Sequence, residues 1–339
     1  MKIGIVGMGY WGPNLVRNFL STSNVDGVVC CDVSEKRLQL ARRKFPGVEI
    51  TTSYKELLSR DDIDAVAIAT PVSTHFPLGM KALEAGKHLL LEKPMTGSTE
   101  EAIKLIEAAE QRGVTLMVDH TFIYTGAVRK IKELVESGRI GEILYFDSVR
   151  VNLGLFQHDT NVIWDLAPHD LSIMDYVIGK EPVAVTAVGV NHFNDVEDIA
   201  YLTVQYADKL IAHFHVNWLS PVKIRKILIG GSKLMVVYDD MEVSEKIKVY
   251  DKGVEIRGEE SIHKTLVQYR TGDMHAPQID QTEALSLLTT EFIDSIIGLT
   301  RPTSDGQSGL NVVRILEAAE ASLRSGGKLI ELSGKGVFA

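Results

Sequence analysis

The chain has 339 residues, 45% hydrophobic and 24% charged; this exceeds one comfortable core of roughly 250–300 residues, and the ordinary composition excludes a disordered, collagen-like or disulfide-stapled protein. Thirty-six basic residues against 45 acidic ones leave a net charge of −9, which disfavours a nucleic-acid surface of clustered Lys and Arg. Cys30 and Cys31, the two cysteines, adjoin in an apolar run from Val28 and read as small buried strand residues of a reducing compartment.

No stretch reaches the roughly 18–20 apolar residues of a membrane span, and Lys2-Ile3-Gly4-Ile5-Val6-Gly7 starts a strand in place of a signal peptide, so a cytoplasmic protein is expected. Short apolar runs recur at Ile3–Val6, Val28–Cys31, Ala65–Ala69, Leu89–Leu91 and Thr115–Val118 without polar alternation, which predicts parallel strands buried on both faces. Helical segments separate them. Pro13 suits a first helical turn, Ser53/Glu56 and Ser98/Glu101 match capping boxes, and Gly86 and Gly113 end the following helices. Residues 1–120 are therefore expected to form an α/β domain with a Rossmann-type, doubly wound parallel sheet and a ligand crevice at the strands' carboxyl ends.

From about Ile143 the pattern alternates, at Val183–Val190, Ala200–Tyr206, Leu210–Trp218, Lys223–Ile229 and Leu234–Tyr238, as expected of an open, mainly antiparallel sheet with one buried face. Helical patterns over Thr282–Ile297 and Leu310–Leu323 close the chain. Residues 121–339 are thus expected to be an α+β domain for substrate binding and oligomerisation, with the last helix in position to brace the first domain. The uncovered sheet face predicts a homo-oligomer.

Gly7-Met8-Gly9-Tyr10-Trp11-Gly12 is a G-x-G-x-x-G that follows a predicted strand, opens a helix and precedes a second strand ending at Asp32. That context reads as a dinucleotide site: Gly7 for the tight turn, Gly9 for backbone approach to a pyrophosphate, Gly12 for helix packing. Asp32 is placed to accept from the adenosine ribose and favours NAD over NADP. Arg37 has two readings, a solvated helix residue or a receiver of a 2′-phosphate. Tyr10 and Trp11 are candidates to cover the dinucleotide, with packing as the alternative for Trp11. Thr70, Pro71 and His75 are expected along the nicotinamide half, although His75 also fits a helix cap. The histidines include no H-E-x-x-H and the cysteine pair lacks zinc-ligand spacing, so no metal site is expected. His213, His215 and Asn217 share one strand face, a polar patch for substrate or for a subunit interface.

Glu92-Lys93-Pro94 at the end of the Leu89–Leu91 strand and Asp165-Leu166-Ala167-Pro168-His169-Asp170 at a second-domain helix, taken with the glycine motif, resemble the glucose–fructose oxidoreductase/inositol dehydrogenase/MocA family. The resemblance implies a nicotinamide cofactor in the first domain, with Glu92 and Lys93 beside it, and a sugar or cyclitol bound between the domains. It makes Lys93, Asp165 and His169 the catalytic candidates. Chemistry agrees, because a carbinol releases hydride only as its hydroxyl proton leaves; His169 or Lys93 is the candidate base, with Asp165 orienting His169. Asp165 and His169 lie four residues apart and share a helix face if the helix starts near Asp165, with Pro168 in its first turn. The polar approach to this helix supplies Asn152, Gln157 and Asp159 for reading sugar hydroxyls. The Asp165-Leu166-Ala167-Pro168-His169-Asp170 variant, together with Asp119-His120-Thr121-Phe122, resembles the branch acting on nucleotide-linked amino sugars such as UDP-N-acetylglucosamine at C3. A dehydrogenase of free sugars or cyclitols and a dinucleotide-sensing regulator are the alternatives.

Overall fold

A computed structural model describes residues 1–339 except 155–159, 194, 252, 257–266, 271 and 333–339. The chain divides into two compact units, Met1–Thr125 with Thr282–Glu317, and Gly126–Gln281 with Ala318–Ala339.

The apolar runs of the N-terminal part become parallel strands: β1 (Lys2–Val6), β2 (Gly27–Cys31), β3 (Glu49–Thr51), β4 (Ala65–Ile68), β5 (His88–Glu92) and β6 (Leu116–Asp119). Their order is β3-β2-β1-β4-β5-β6. The order reverses between β1 and β4, so the carboxyl ends of these two strands flank the crevice of a doubly wound sheet. Ile3, Ile5, Ala65 to Ile68 and Leu89 to Leu91 are all at most 1% exposed, which requires cover on both faces. Helices α1 (Gly12–Ser21), α2 (Glu35–Lys44), α3 (Tyr54–Leu58), α4 (His75–Glu84) and α5 (Thr99–Arg112) supply it. Ser53 and Ser98 cap α3 and α5 by accepting from the backbone N–H of Glu56 and Glu101. Gly113 ends α5 at φ 64°, a left-handed conformation that favours glycine. Strand β3 lies beyond the sequence expectation, because three residues with an exposed Glu49 carry almost no hydrophobic pattern.

The second unit opens with α6 (Gly126–Glu136), β7 (Ile143–Leu153) and α7 (Val162–Ile178). It continues through β8 (Pro182–Val190), β9 (Ile199–Tyr206), β10 (Ile211–Asn217), β11 (Leu219–Gly231), β12 (Met235–Asp239) and β13 (Ile247–Tyr250), then β14 (Gly253–Ile256), β15 (Val267–Arg270) and β16 (Met274–His275). With β17 (Ile330–Glu331) these form a nine-stranded sheet in the order β16-β13-β12-β11-β7-β10-β9-β8-β17, while β14 and β15 pair separately. The sheet is mainly antiparallel, but its central pair, β7 and β10, is parallel. Ala212, Phe214 and Val216 of β10 are buried on the face that carries α7. On the other face His213, His215 and Asn217 are half-exposed, and the ring of Tyr201 stacks on His215 with centroids 4.5 Å apart.

The chain then completes the first unit with α8 (Ala284–Gly298) and α9 (Gly306–Arg324), the latter counted with that unit as far as Glu317. Phe292 of α8 meets Phe19 of α1 edge-on at 6.2 Å, and the hydroxyls of Thr289 and Thr22 share a buried hydrogen bond of 2.9 Å. Ser304 accepts the backbone N–H of Val118 and pairs its hydroxyl with that of Tyr124. Among the described residues no helix is long and apolar enough to cross a membrane.

In the second unit a buried ion pair pins α7 to β7: Arg150 donates from Nε and Nη2 to the two oxygens of Asp170 at 2.9 and 2.7 Å. The side chains are 3% and 4% exposed. Arg150→Met strands a buried carboxylate and should cost about 3–5 kcal/mol, whereas Arg150→Met with Asp170→Leu should recover most of that loss. Urea unfolding of the three proteins checks this; equal stability of the single and double variants would contradict it.

Candidate active site

At the end of β1 the chain must turn through very little space. Gly7 has φ 96°, and a Cβ there would lie 2.4 Å from the carbonyl oxygen of Ala69; one at Gly12 would lie 1.9 Å from the carbonyl oxygen of Gly7. Any side chain at either position would force the turn apart. A Cβ at Gly9 would meet nothing within 4 Å, so this backbone faces open space. Helix α1 begins here with no side-chain cap, leaving its first N–H groups available to an anion. This bare turn and uncapped helix start fit a dinucleotide pyrophosphate.

Asp32, at the end of β2, is 6% exposed. It accepts the backbone N–H of Met8 at 2.7 Å and that of Ser34 at 2.8 Å, which ties the glycine turn to the ribose-reading position. The Arg37 Nη1 stands 3.7 Å from Asp32 Oδ2 although its side chain is 56% exposed. Arg37 is thus solvated and also turned toward Asp32. Cys30 and Cys31 are free and buried, and burial pushes their thiols up to about 12 and about 11, as for strand core rather than reactive groups.

Four ionisable side chains surround Lys93 electrostatically: Glu92, Asp119, His75 and His120. Glu92 and Asp119 are register partners at the carboxyl ends of β5 and β6. Burial raises Glu92 well above the usual carboxylate range, the charge of Asp119 raises it further, and Lys93 opposes both. Burial also raises Asp119, against hydrogen bonds from Thr121 and Trp11. The Trp11 indole donates to Asp119 Oδ2 at 2.7 Å and the Thr121 hydroxyl to Oδ1. Trp11 thus reaches from the glycine turn to the far edge of the sheet, while Tyr10 is 92% exposed.

His75 is 1% exposed, with Nδ1 2.9 Å from the Pro94 carbonyl oxygen and Nε2 2.8 Å from that of Thr70. It clasps the segments that follow β4 and β5, and burial lowers its pKa. Thr70 is half-buried and Pro71 exposed beside it. His120 is buried with no partner for either ring nitrogen, and burial brings it down to about 3, so it carries no charge at neutral pH. The sequence assigned no role to Asp119, whose indole donor Trp11 lies 108 residues away, nor to His120.

In the second unit α7 starts earlier than the sequence suggested. Asn161 is the N-cap, its side-chain oxygen accepting from the N–H groups of Ile163 and Trp164. Asp165 and His169 are therefore within the helix, still four residues apart on one face. Pro168 is inside the helix and not in its first turn, so the chain forgoes an internal hydrogen bond here. Asp165 Oδ2 accepts from the indole of Trp218 at 2.9 Å, a contact the sequence did not signal. Asn152 is half-buried on β7. Gln157 and Asp159 lie outside the described residues.

Residues 1–120 match a family model described as oxidoreductase family, NAD-binding Rossmann fold, and residues 128–237 match the GFO/IDH/MocA C-terminal domain. The chain is 28% identical to UDP-N-acetylglucosamine 3-dehydrogenase of Acidithiobacillus ferrooxidans, over 88% of this chain and 93% of the relative. It is 25% identical to scyllo-inositol 2-dehydrogenase (NADP(+)) of Bacillus subtilis, over 95% and 93%. A solved structure of the Acidithiobacillus ferrooxidans enzyme matches with TM-score 0.81 and 25% identity, covering 96% of this chain and 98% of that one. A levoglucosan dehydrogenase solved with NADH and levoglucosan matches in fold, at TM-score 0.83 and 19% identity over 98% and 100%.

Two outcomes are expected. Calorimetric titration should give tighter binding of NAD than NADP, with Asp32→Ala narrowing the gap; tighter NADP binding by the unaltered protein would overturn the role of Asp32. The second concerns Glu92, whose raised pKa means that the native state keeps a proton the unfolded chain releases near its ordinary 4.5. Stability therefore falls as pH rises from there toward the folded value. Glu92→Gln removes this dependence, so the melting-temperature difference, variant minus parent, should grow from about pH 5 to about pH 8. A constant difference would show that Glu92 is ionised throughout.

Proposed function

We propose that this chain, which belongs to the Gfo/Idh/MocA oxidoreductase family, uses NAD to oxidise a sugar hydroxyl: the C3 hydroxyl of UDP-N-acetylglucosamine or a related nucleotide-linked amino sugar, giving the 3-keto sugar. The observation that carries this substrate is the similarity to UDP-N-acetylglucosamine 3-dehydrogenase over 88% of the chain, more than a shared dinucleotide-binding part accounts for.

Oxidation takes a hydride from carbon and a proton from its oxygen, leaving a carbonyl. NAD, when bound, accepts the hydride. His169 takes the hydroxyl proton as general base, with Asp165 one helical turn away supporting the imidazolium that forms. Lys93 places positive charge at the reacting oxygen, where negative charge develops as the proton leaves. Asn152, and outside the described residues Gln157 and Asp159, are assigned to substrate hydroxyls. The competing reading, oxidation of a free cyclitol, is favoured by the likeness to the inositol dehydrogenase and, for NADP, by the approach of Arg37 to Asp32.

A panel of nucleotide sugars, free sugars and inositols, assayed for NADH formation with the product reduced by borodeuteride and sequenced by mass, decides between them. Label at C3 of UDP-N-acetylglucosamine is expected; turnover confined to inositols would replace the proposal. His169→Asn and Lys93→Met should each lower turnover by about 10²–10⁴-fold while leaving NAD affinity nearly unchanged.

We also propose that the half-exposed sheet face joins copies of the chain. It carries Val188, Val190, Tyr201 and Ile211, each between 42% and 55% exposed. Light scattering at dilute concentration should show an oligomer that Tyr201→Lys dissociates, whereas a monomeric parent protein would refute the assignment.

A further inference from the structure

Trp218 occupies the single position between β10 and β11 and is fully buried. Its backbone N–H donates to the Asp198 carbonyl at 2.9 Å, and its own carbonyl accepts from Gly154 at 3.0 Å. Its ring lies against Gly154 so closely that a Cβ there would be 2.4 Å from Trp218 Cδ1; the indole has one place to go. From that place Nε1 donates to Asp165 Oδ2 at 2.9 Å.

The acceptor is anchored to the same short segment as the donor. The first N–H of α7, from Val162, donates to the Glu197 carbonyl at 2.9 Å, and the capping Asn161 also donates from its side chain to the Glu197 carboxylate at 3.1 Å. The next residue, Asp198, holds Trp218 and is itself buried and fixed by His192, whose backbone N–H and ring each lie 2.7 Å from its carboxylate. Two adjacent residues of the β8–β9 connection therefore set the spacing between the Trp218 indole and the helix bearing Asp165.

We propose that Trp218 is a positioning residue that acts through Asp165: its N–H fixes the carboxylate in one orientation, and the carboxylate in turn selects the tautomer of His169 one helical turn on. The inference rests on the reading of Asp165 and His169 as a pair. A carboxylate free to rotate offers its neighbour several geometries, and a general base with the wrong tautomer loses its lone pair at the reacting atom. Gly154 belongs to the device, since only bare backbone leaves room for the ring.

The test replaces Trp218 alone by benzothienylalanine, which puts sulfur where the indole has N–H and keeps the shape. Nitrogen NMR of ¹⁵N-histidine-labelled protein, with His169 assigned through His169→Asn, reads the tautomer without substrate. A single neutral tautomer is expected in the parent, and a mixture in the sulfur analogue, in Gly154→Ala and in Asp165→Ala. Turnover of UDP-N-acetylglucosamine with NAD should fall about tenfold, the scale of one hydrogen bond to a charged group, with KM within about twofold. In an Asp165→Ala background the Trp218 replacement should add nothing. A shifted His169 tautomer without turnover of this sugar would support the positioning role and defeat only the substrate assignment. An unchanged tautomer in the sulfur analogue, with a shift in Asp165→Ala, overturns the role of Trp218 and leaves the Asp165–His169 pair standing. No shift in either overturns both.

Discussion

Carboxyl groups removed from water are the constraint around which both units are arranged. A buried carboxylate is tolerable only when donors replace its lost hydration. Asp32 has two backbone N–H groups, Asp119 an indole and a hydroxyl, and Asp170 a bidentate guanidinium; the partly buried Asp165 takes a second indole. The Met8 N–H, the guanidinium and both indoles come from other parts of the chain, so satisfying the acids also draws distant segments together. The glycine turn is bound to the ends of β2 and β6 in this way, and α7 is bound to β7 and to the β10–β11 junction.

Glu92 departs from that rule, and the departure lies beside Lys93. Burial and the neighbouring Asp119 disfavour its ionised form more than the charge and backbone N–H of Lys93 favour it, so its pKa is raised. His75 and His120 are likewise pushed toward their neutral forms by burial. These shifts suit the electrostatic role proposed for Lys93.

Local patterns made much of this fold legible. Apolar runs marked all the parallel strands except β3, capping serines marked α3 and α5, and the glycine spacing marked the turn at Gly7. These signals are confined to a few residues and depend on backbone geometry. The placement of α7 was less legible because Asp165 resembles an N-cap as much as Asn161 does, and Pro168 argued for a helix start that the structure puts further back. The donors to Asp119 and Asp165 were not legible at all. Trp11 and Asp119 are 108 residues apart, and Trp218 and Asp165 are 53 apart; no periodicity relates them, and an indole N–H finds its acceptor only after both elements are packed.

The first unit is discontinuous in the chain, and this bears on the order in which it is made. Phe19 and Thr22 of α1 wait for Phe292 and Thr289, and Val118 and Tyr124 wait for Ser304. During synthesis at roughly 5–20 residues per second, the dinucleotide-binding half therefore stays unfinished while the intervening sheet is translated. The apolar flank of α1 remains uncovered until α8 leaves the ribosome. A nascent chain in that interval presents an unpaired apolar surface, so translation of the last quarter of the message sets how long the first quarter stays unfinished.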